Sequence, residues 1–134
     1  MSECIFCKII DGSIPSRKIY EDSSVISFLD INPAARGHSL IVPKTHGRLI
    51  MDLEDEWVSK TFVAVKKVSG LIKSKLDCDG FNILINQGRD AGQLVDHFHI
   101  HVIPRYSGDS LPLPHVVKKL TDEEMDEIQK KITG

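Results

Sequence analysis

Hydrophobic residues recur along this 134-residue chain in two rhythms, and the switches between them mark out the elements. From Asp52 to Leu76 the apolar set Trp57, Val58, Phe62, Val65, Val68, Ile72 and Leu76 returns every three to four residues. That spacing predicts one long amphipathic helix with Asp52 as its N-cap. Elsewhere the apolar runs are short and bounded by turn residues. KIYEDSSVISFLDINP reads as two strands around a polar turn at Glu21–Ser24, the second ended by Asn32-Pro33. GHSLIVPKTH is a further strand, and Pro43, which has no N–H, puts that end at an edge or a bulge. GFNILINQG and DHFHIHVIPR supply two more strands. CIFCKIIDG predicts a short helix ending at Gly12, because Pro15 forbids its continuation. Thr121-Asp-Glu-Glu124 is a capping box that opens a C-terminal helix to about Ile132. Short turns join the strands before the long helix, so the sheet is expected to be antiparallel with helices packed on it. The expected fold is α+β, a single domain over 1–134.

Composition narrows the partners. Apolar residues make up 41% and charged residues 27%, the balance of an ordinary globular protein. Seventeen Lys and Arg against nineteen Asp and Glu give a formal net charge of −2, which argues against a nucleic-acid polymer or a membrane surface. No apolar run approaches the roughly 18 residues of a membrane span. The start, MSECIFCKII, is too short and too acidic for a signal peptide, so the expected location is cytoplasmic. Three cysteines, two of them as Cys4-x-x-Cys7, suit a reducing compartment and suggest metal or redox chemistry over disulfides.

The candidate chemistry is concentrated in VDHFHIHVIPR. On a strand, residues two apart share a face, so His97, His99 and His101 line one side while Phe98, Ile100 and Val102 enter the core. A merely solvated face would be served by Lys, Glu or Thr, so three imidazoles in a row point to a site. Two chemistries compete there: a catalytic zinc held by the rings, or a neutral histidine acting as the nucleophile. Cβ atoms about 6.5–7 Å apart along a strand can hardly converge on one ion, which favours the nucleophile for the central ring.

The pattern His-apolar-His-apolar-His-apolar-apolar resembles the signature of the histidine triad (HIT) nucleotide hydrolases and transferases. IFCKIIDGSIP, SFLDINPAARGHSLIVPKTH and NQGRDAGQLVDHFHIHVIPR are similar to family segments in family order, covering residues 4–106 and leaving 107–134 as an extension. The resemblance implies a five-stranded antiparallel sheet and a homodimer. It implies that His99 attacks the α-phosphorus of a nucleotide to give a nucleotidyl-histidine, and that His101 contacts the phosphate and protonates the leaving atom. His38 would lie beside the triad and support it. Asn86, Gln93 and the backbone N–H groups around Gly92 would hold the phosphate, although ordinary loop capping would also explain Asn86 and Gln93. Asp30 would bind the ribose hydroxyls, although it could simply cap a turn. Ile5, Phe6, Ile9, Leu29 and Ile31 would wall the base, although all five would pass for core residues. Cys4-x-x-Cys7 is half of a tetrahedral zinc site with no second pair to complete it. The resemblance fills the gap with His46 and His97, making a closed, structural zinc, with a reduced thiol pair as the plain alternative.

The implied substrate is a purine nucleotide, AMP or an AMP conjugate. VPKTH is similar to the purine nucleoside phosphoramidases, whereas VIPR is more similar to dinucleoside polyphosphate hydrolases. Leu94 stands where the phosphoramidase branch commonly has a serine. An adenosine 5′-phosphoramidate hydrolase is the first expectation, a dinucleoside polyphosphate hydrolase the second, and a non-catalytic nucleotide-binding adaptor the third.

Overall fold

Local hydrogen bonds set the element boundaries. Asp22 closes the first hairpin, its Oδ1 accepting from the N–H groups of Ser24 and Val25 at 2.8 Å each. Asp30 closes the turn after the next strand, with Oδ1 accepting from Asn32 N–H at 2.8 Å. In the computed structural model, which describes residues 3–112 and 118–134, these turns separate the elements of an α+β domain. Residues 113–117 of the expected C-terminal extension lie outside the described residues. In chain order the elements are α1 (Ile5–Ile10), β1 (Lys18–Glu21), β2 (Val25–Leu29), β3 (Ser39–Pro43), α2 (Asp55–Leu76), β4 (Gly80–Leu84), β5 (Ile100–Arg105) and α3 (Asp122–Thr133). The strands form one antiparallel sheet in the order β1-β2-β3-β5-β4.

Both faces of the sheet centre are covered, which explains why β2 and β3 read as unbroken apolar runs. On one face α2 packs with Val65, Val68 and Ile72 against Val25, Ile41, Phe98, Ile100 and Val102. On the other, Phe6 of α1 joins Ile26, Phe28, Leu40 and Val42. The alternation of two is thus kept: Ile100 and Val102 enter the α2 core, and the histidines between them take the α1 side.

Three sequence expectations need correction. Asp52 is not the cap of the long helix. Its carboxylate accepts from Leu49 N–H at 2.8 Å within a 3-10 turn, the extended Leu53 follows, and Glu54 becomes the N-cap. Phe62 is 40% exposed, because the stripe facing the sheet is built from smaller residues, including Thr61, Ala64 and Ser69. His97 and His99 also precede the strand, whose ladder starts only at Ile100. The β3–β5 register ends with Ile41 opposite Ile100, so Pro43 needs no N–H towards β5. Pro43 sits on an interior strand, paired with Val25 of β2, but on its β5 side the ladder has already stopped.

Candidate active site and metal centre

One backbone or ring partner fixes the proton on each histidine. His99 Nδ1 lies 2.7 Å from the His97 carbonyl. A carbonyl only accepts, so Nδ1 carries the hydrogen and Nε2 keeps a free lone pair. His97 Nε2 likewise donates to the Pro43 carbonyl at 3.0 Å, which leaves its Nδ1 as the lone-pair atom. His38 Nδ1 accepts from Ala34 N–H at 2.9 Å, so its Nε2–H donates to His101 Nδ1, also at 2.9 Å. His101 therefore keeps its own hydrogen on Nε2.

Burial holds these rings neutral. It pushes His99 and His38 below the ordinary 6.5, with the negative charge of Asp30 working in the opposite direction. His101 falls from 6.5 to about 4, first through burial and then through its neighbours His99 and His38. Asp30 divides its oxygens between two tasks. Oδ1 caps the turn, and Oδ2 lies 3.5 Å from His38 Nε2 and 4.0 Å from His101 Nδ1.

These groups open onto a cavity of about 750 Å³, within the range of small-molecule sites. Ile5, Phe6, Ile9, Leu29, Asp30, Ile31, His38, Asn86, Gly92, His99 and His101 all line it. Ile5 and Ile31 are 43% and 81% exposed, so the alternative reading of them as core residues fails. Phe6 is buried and packs edge-on against Phe28, His97 and His99 at centroid distances of 5.6, 5.9 and 5.1 Å. Gln93 is not among the lining residues. Its amide is committed to the loop: Oε1 accepts from Gly88 N–H, and Nε2 donates to the Arg48 and Val95 carbonyls. Gly92, at φ +92°, lets the chain turn close to Asn86, whose Nδ2 would lie 3.8 Å from an added Cβ.

The N–H groups of Ala91, Gly92 and Gln93 are all used inside this loop. Leu94 N–H has no partner among the described residues, and Leu94 lines the cavity. Of the backbone donors expected around Gly92 this one is left open, two residues further on, whereas Ile14, Arg17, Phe28 and Leu40 in the lining were missed. A backbone N–H leaves no mark in a sequence. The apolar lining residues have no pattern that separates wall from core.

Beside the cavity, Cys4, Cys7, His46 and His97 bring one donor atom each within 4.8 Å of one another. Cys4 Sγ and Cys7 Sγ lie 3.4 and 3.6 Å from His97 Nδ1, and Cys7 Sγ lies 3.4 Å from His46 Nδ1. Sulfur and nitrogen ligands at tetrahedral angles on one zinc would be about 3.5 Å apart. Burial and then the neighbouring Cys4 push the Cys7 thiol up to about 11, an environment that a bound cation would reverse. The donor set fits zinc, and His97 turns towards it the nitrogen that Pro43 leaves free. Cys78, by contrast, is a fully buried thiol in the α2 core.

The sequence matches the HIT domain over residues 11–108. The chain belongs to the HIT family. It is 47% identical over 133 residues to an uncharacterized HIT-like protein of Methanocaldococcus jannaschii, covering 98% of this chain and 99% of the relative. It is 44% identical to adenosine 5′-monophosphoramidase HNT1 of Candida albicans over 108 residues, 78% of this chain and 71% of that one. Among solved structures, a Zn-bound histidine triad family protein of Mycobacterium smegmatis superposes with a TM-score of 0.79 at 40% identity, covering 83% and 81% of the two chains. This HIT-family chain is accordingly a hydrolase, with the α+β fold and five-stranded antiparallel sheet of its relatives. Among the described residues, no helix is long and apolar enough to cross a membrane.

Proposed function

We propose that the protein hydrolyses AMP-linked phosphoramidates through a nucleotidyl-histidine on His99. One observation carries the reading: His99 Nδ1–H is held by the His97 carbonyl at 2.7 Å, leaving Nε2 as a neutral nucleophile on a residue that lines the cavity. The name of the Candida albicans relative supports the substrate class. Ile5, Phe6, Ile9, Leu29 and Ile31 wall the purine, Asp30 Oδ2 takes the ribose hydroxyls, and Asn86 with Leu94 N–H holds the phosphoryl oxygens. Gln93 acts beneath them by fixing the loop.

The incoming phosphate raises the His101 pKa, so the ring takes up a proton on Nδ1 with the substrate, and the His38 Nε2–H that it displaces turns to Asp30 Oδ2, 3.5 Å away. His99 Nε2 then bonds to the α-phosphorus as the P–N bond breaks, and the nitrogen leaves with the proton from His101 Nε2. Water attacks next, passing a proton back to His101 Nε2. The P–His99 bond breaks and AMP departs. Cys4, Cys7, His46 and His97 hold a structural zinc, which would tie α1 to the segment before β5. Such thiolates need a reducing compartment, in keeping with the cytoplasm.

The same reading includes a homodimer. β4 is an edge strand, and Phe81 and Ile83 on it are 37% and 48% exposed. They lie opposite Pro104 and Val102, on the face that α2 covers further in, so the open edge continues an apolar surface suited to a second copy.

A chiral, labelled AMP phosphoramidate tests the mechanism. Two in-line displacements should retain configuration at phosphorus and leave label on His99 after a rapid acid-free quench. Inversion without label would overturn the covalent pathway. Tight AMP binding without turnover of any phosphoramidate or polyphosphate would mark the chain as an adaptor.

A further inference from the structure

The two oxygens of Asp30 are unequally engaged. Oδ1 is fixed by the Asn32 N–H at 2.8 Å. Among the described residues no hydrogen bond ends on Oδ2, although the side chain is only 16% exposed and lines the cavity. An acceptor left open in a cavity wall is a place where a ligand's donor gains most, and the ribose hydroxyls supply one.

The same oxygen is the outlet for a proton chain. Ala34 N–H holds His38 Nδ1 at 2.9 Å, and His38 Nε2–H reaches His101 Nδ1 at 2.9 Å. His38 is 5% exposed and anchored by the backbone, so it cannot retreat when His101 gains a proton on Nδ1. Two N–H groups then face each other, and both are within reach of Oδ2, 3.5 Å from His38 Nε2 and 4.0 Å from His101 Nδ1. The titratable groups facing His101 are His99, His38 and Asp30, and Asp30 brings the negative charge. Leu40 of β3 and Leu84 of β4 lie opposite it in the ladder and carry no charge. From α1 the cavity receives apolar side chains. With a nucleotide bound, three donors would converge on an oxygen that has two lone pairs: the His38 N–H, the His101 N–H and a sugar hydroxyl.

We infer that Asp30 Oδ2 couples the sugar to the acid step: the hydroxyl it accepts sets how readily His101 gives its proton to the leaving nitrogen, so ribose is told from deoxyribose in the chemistry as well as in binding. The inference rests on the phosphoramidate reading above and adds a sugar specificity to it. The sign follows from the competition. A hydroxyl on Oδ2 draws off part of the carboxylate's charge and displaces an imidazole N–H, which makes the protonated His101 a stronger acid. Without the hydroxyl, Oδ2 holds that proton more tightly. The proton that leaves is the one on Nε2, and the one on Nδ1 stays until AMP departs.

The test compares AMP phosphoramidate with its 2′,3′-dideoxy counterpart under single turnover, with enzyme in such excess that the rate no longer rises. That rate reads P–N cleavage apart from binding and product release. In the wild type the dideoxy substrate should react about two- to threefold more slowly on the plateau. Its basic limb should lie higher in pH by about 0.5–1, a part of what a whole opposite charge at this distance is worth. In Asp30→Asn, whose amide oxygen still accepts from Asn32 N–H, the two substrates should share one basic limb, below that of the wild type. The wild-type pair decides the matter even without the variant. Equal saturated rates and equal limbs, with affinity alone differing, would reduce Asp30 to a sugar clamp and overturn the coupling while leaving the hydrolase intact. A limb that moves down, or a gap unaltered in Asp30→Asn, would overturn it too. Failure to turn over any phosphoramidate would overturn both readings.

Discussion

Two neighbouring regions of this molecule use the same side chain for opposite ends. At the metal centre, His97 gives its Nε2–H to the Pro43 carbonyl and offers Nδ1 to two thiols. At the cavity, His99 gives its Nδ1–H to the His97 carbonyl and keeps the Nε2 lone pair free. The residues are two apart and similarly buried, yet in the proposed roles one frames and the other reacts. Ring identity does not decide this. The carbonyl that accepts the ring N–H does, because it determines which nitrogen remains basic.

That contrast can be broken from either side. The largest effect is expected at the cavity: His99→Ala should lower kcat by about 10⁴–10⁶-fold while AMP binding, read by calorimetry, stays near normal. His101→Ala removes one acid–base group and should lose about 10²–10⁴-fold in kcat. At the metal centre the pattern should reverse. The wild type should carry about one zinc per chain by elemental analysis. Cys4→Ser should lose it and lower the thermal midpoint by about 10 °C, the effect of roughly 3 kcal/mol on a chain of this size, with a far smaller change in kcat than His99→Ala causes.

The smallest effects lie in the pH response. Burial lowers the His99 pKa, so kcat/KM should hold below pH 6.5 before its acid limb falls. Asp30 opposes that shift, so Asp30→Asn should move the limb further down. His101 takes a proton at 6.5 when unfolded and only at about 4 when folded. Its neutral burial therefore costs nothing above 6.5, and stability should drain away as pH falls from 6.5 towards 4, measurable by denaturant titration.

Much of this was legible in the residues. The spacing of two in HFHIHV assigned faces correctly, because Phe98, Ile100 and Val102 could only go inward. The elements followed from turn chemistry at Asp22 and Asp30 and from the period of α2. The N-cap slipped from Asp52 to Glu54 because a 3-10 turn consumed the Asp52 carboxylate, a choice that local patterning does not record. Phe62 was misread because a helix over the middle of a sheet can bury Thr61 and Ser69 in preference to a larger neighbour. The groups that set the proton on each ring are the carbonyls of Pro43 and His97 and the N–H of Ala34, and backbone atoms have no letter in a sequence.

α1 is only six residues long, too short to persist without tethers. In the proposed roles, one side of it is anchored to zinc through Cys4 and Cys7, and its other side supplies Ile5, Phe6 and Ile9 to the purine wall. Metal and nucleotide would then oppose the same disorder, and each would raise the affinity of the other by an equal factor. Starved of zinc, the chain would then pay twice, in thermal stability and in the nucleotide concentration needed for half-saturation.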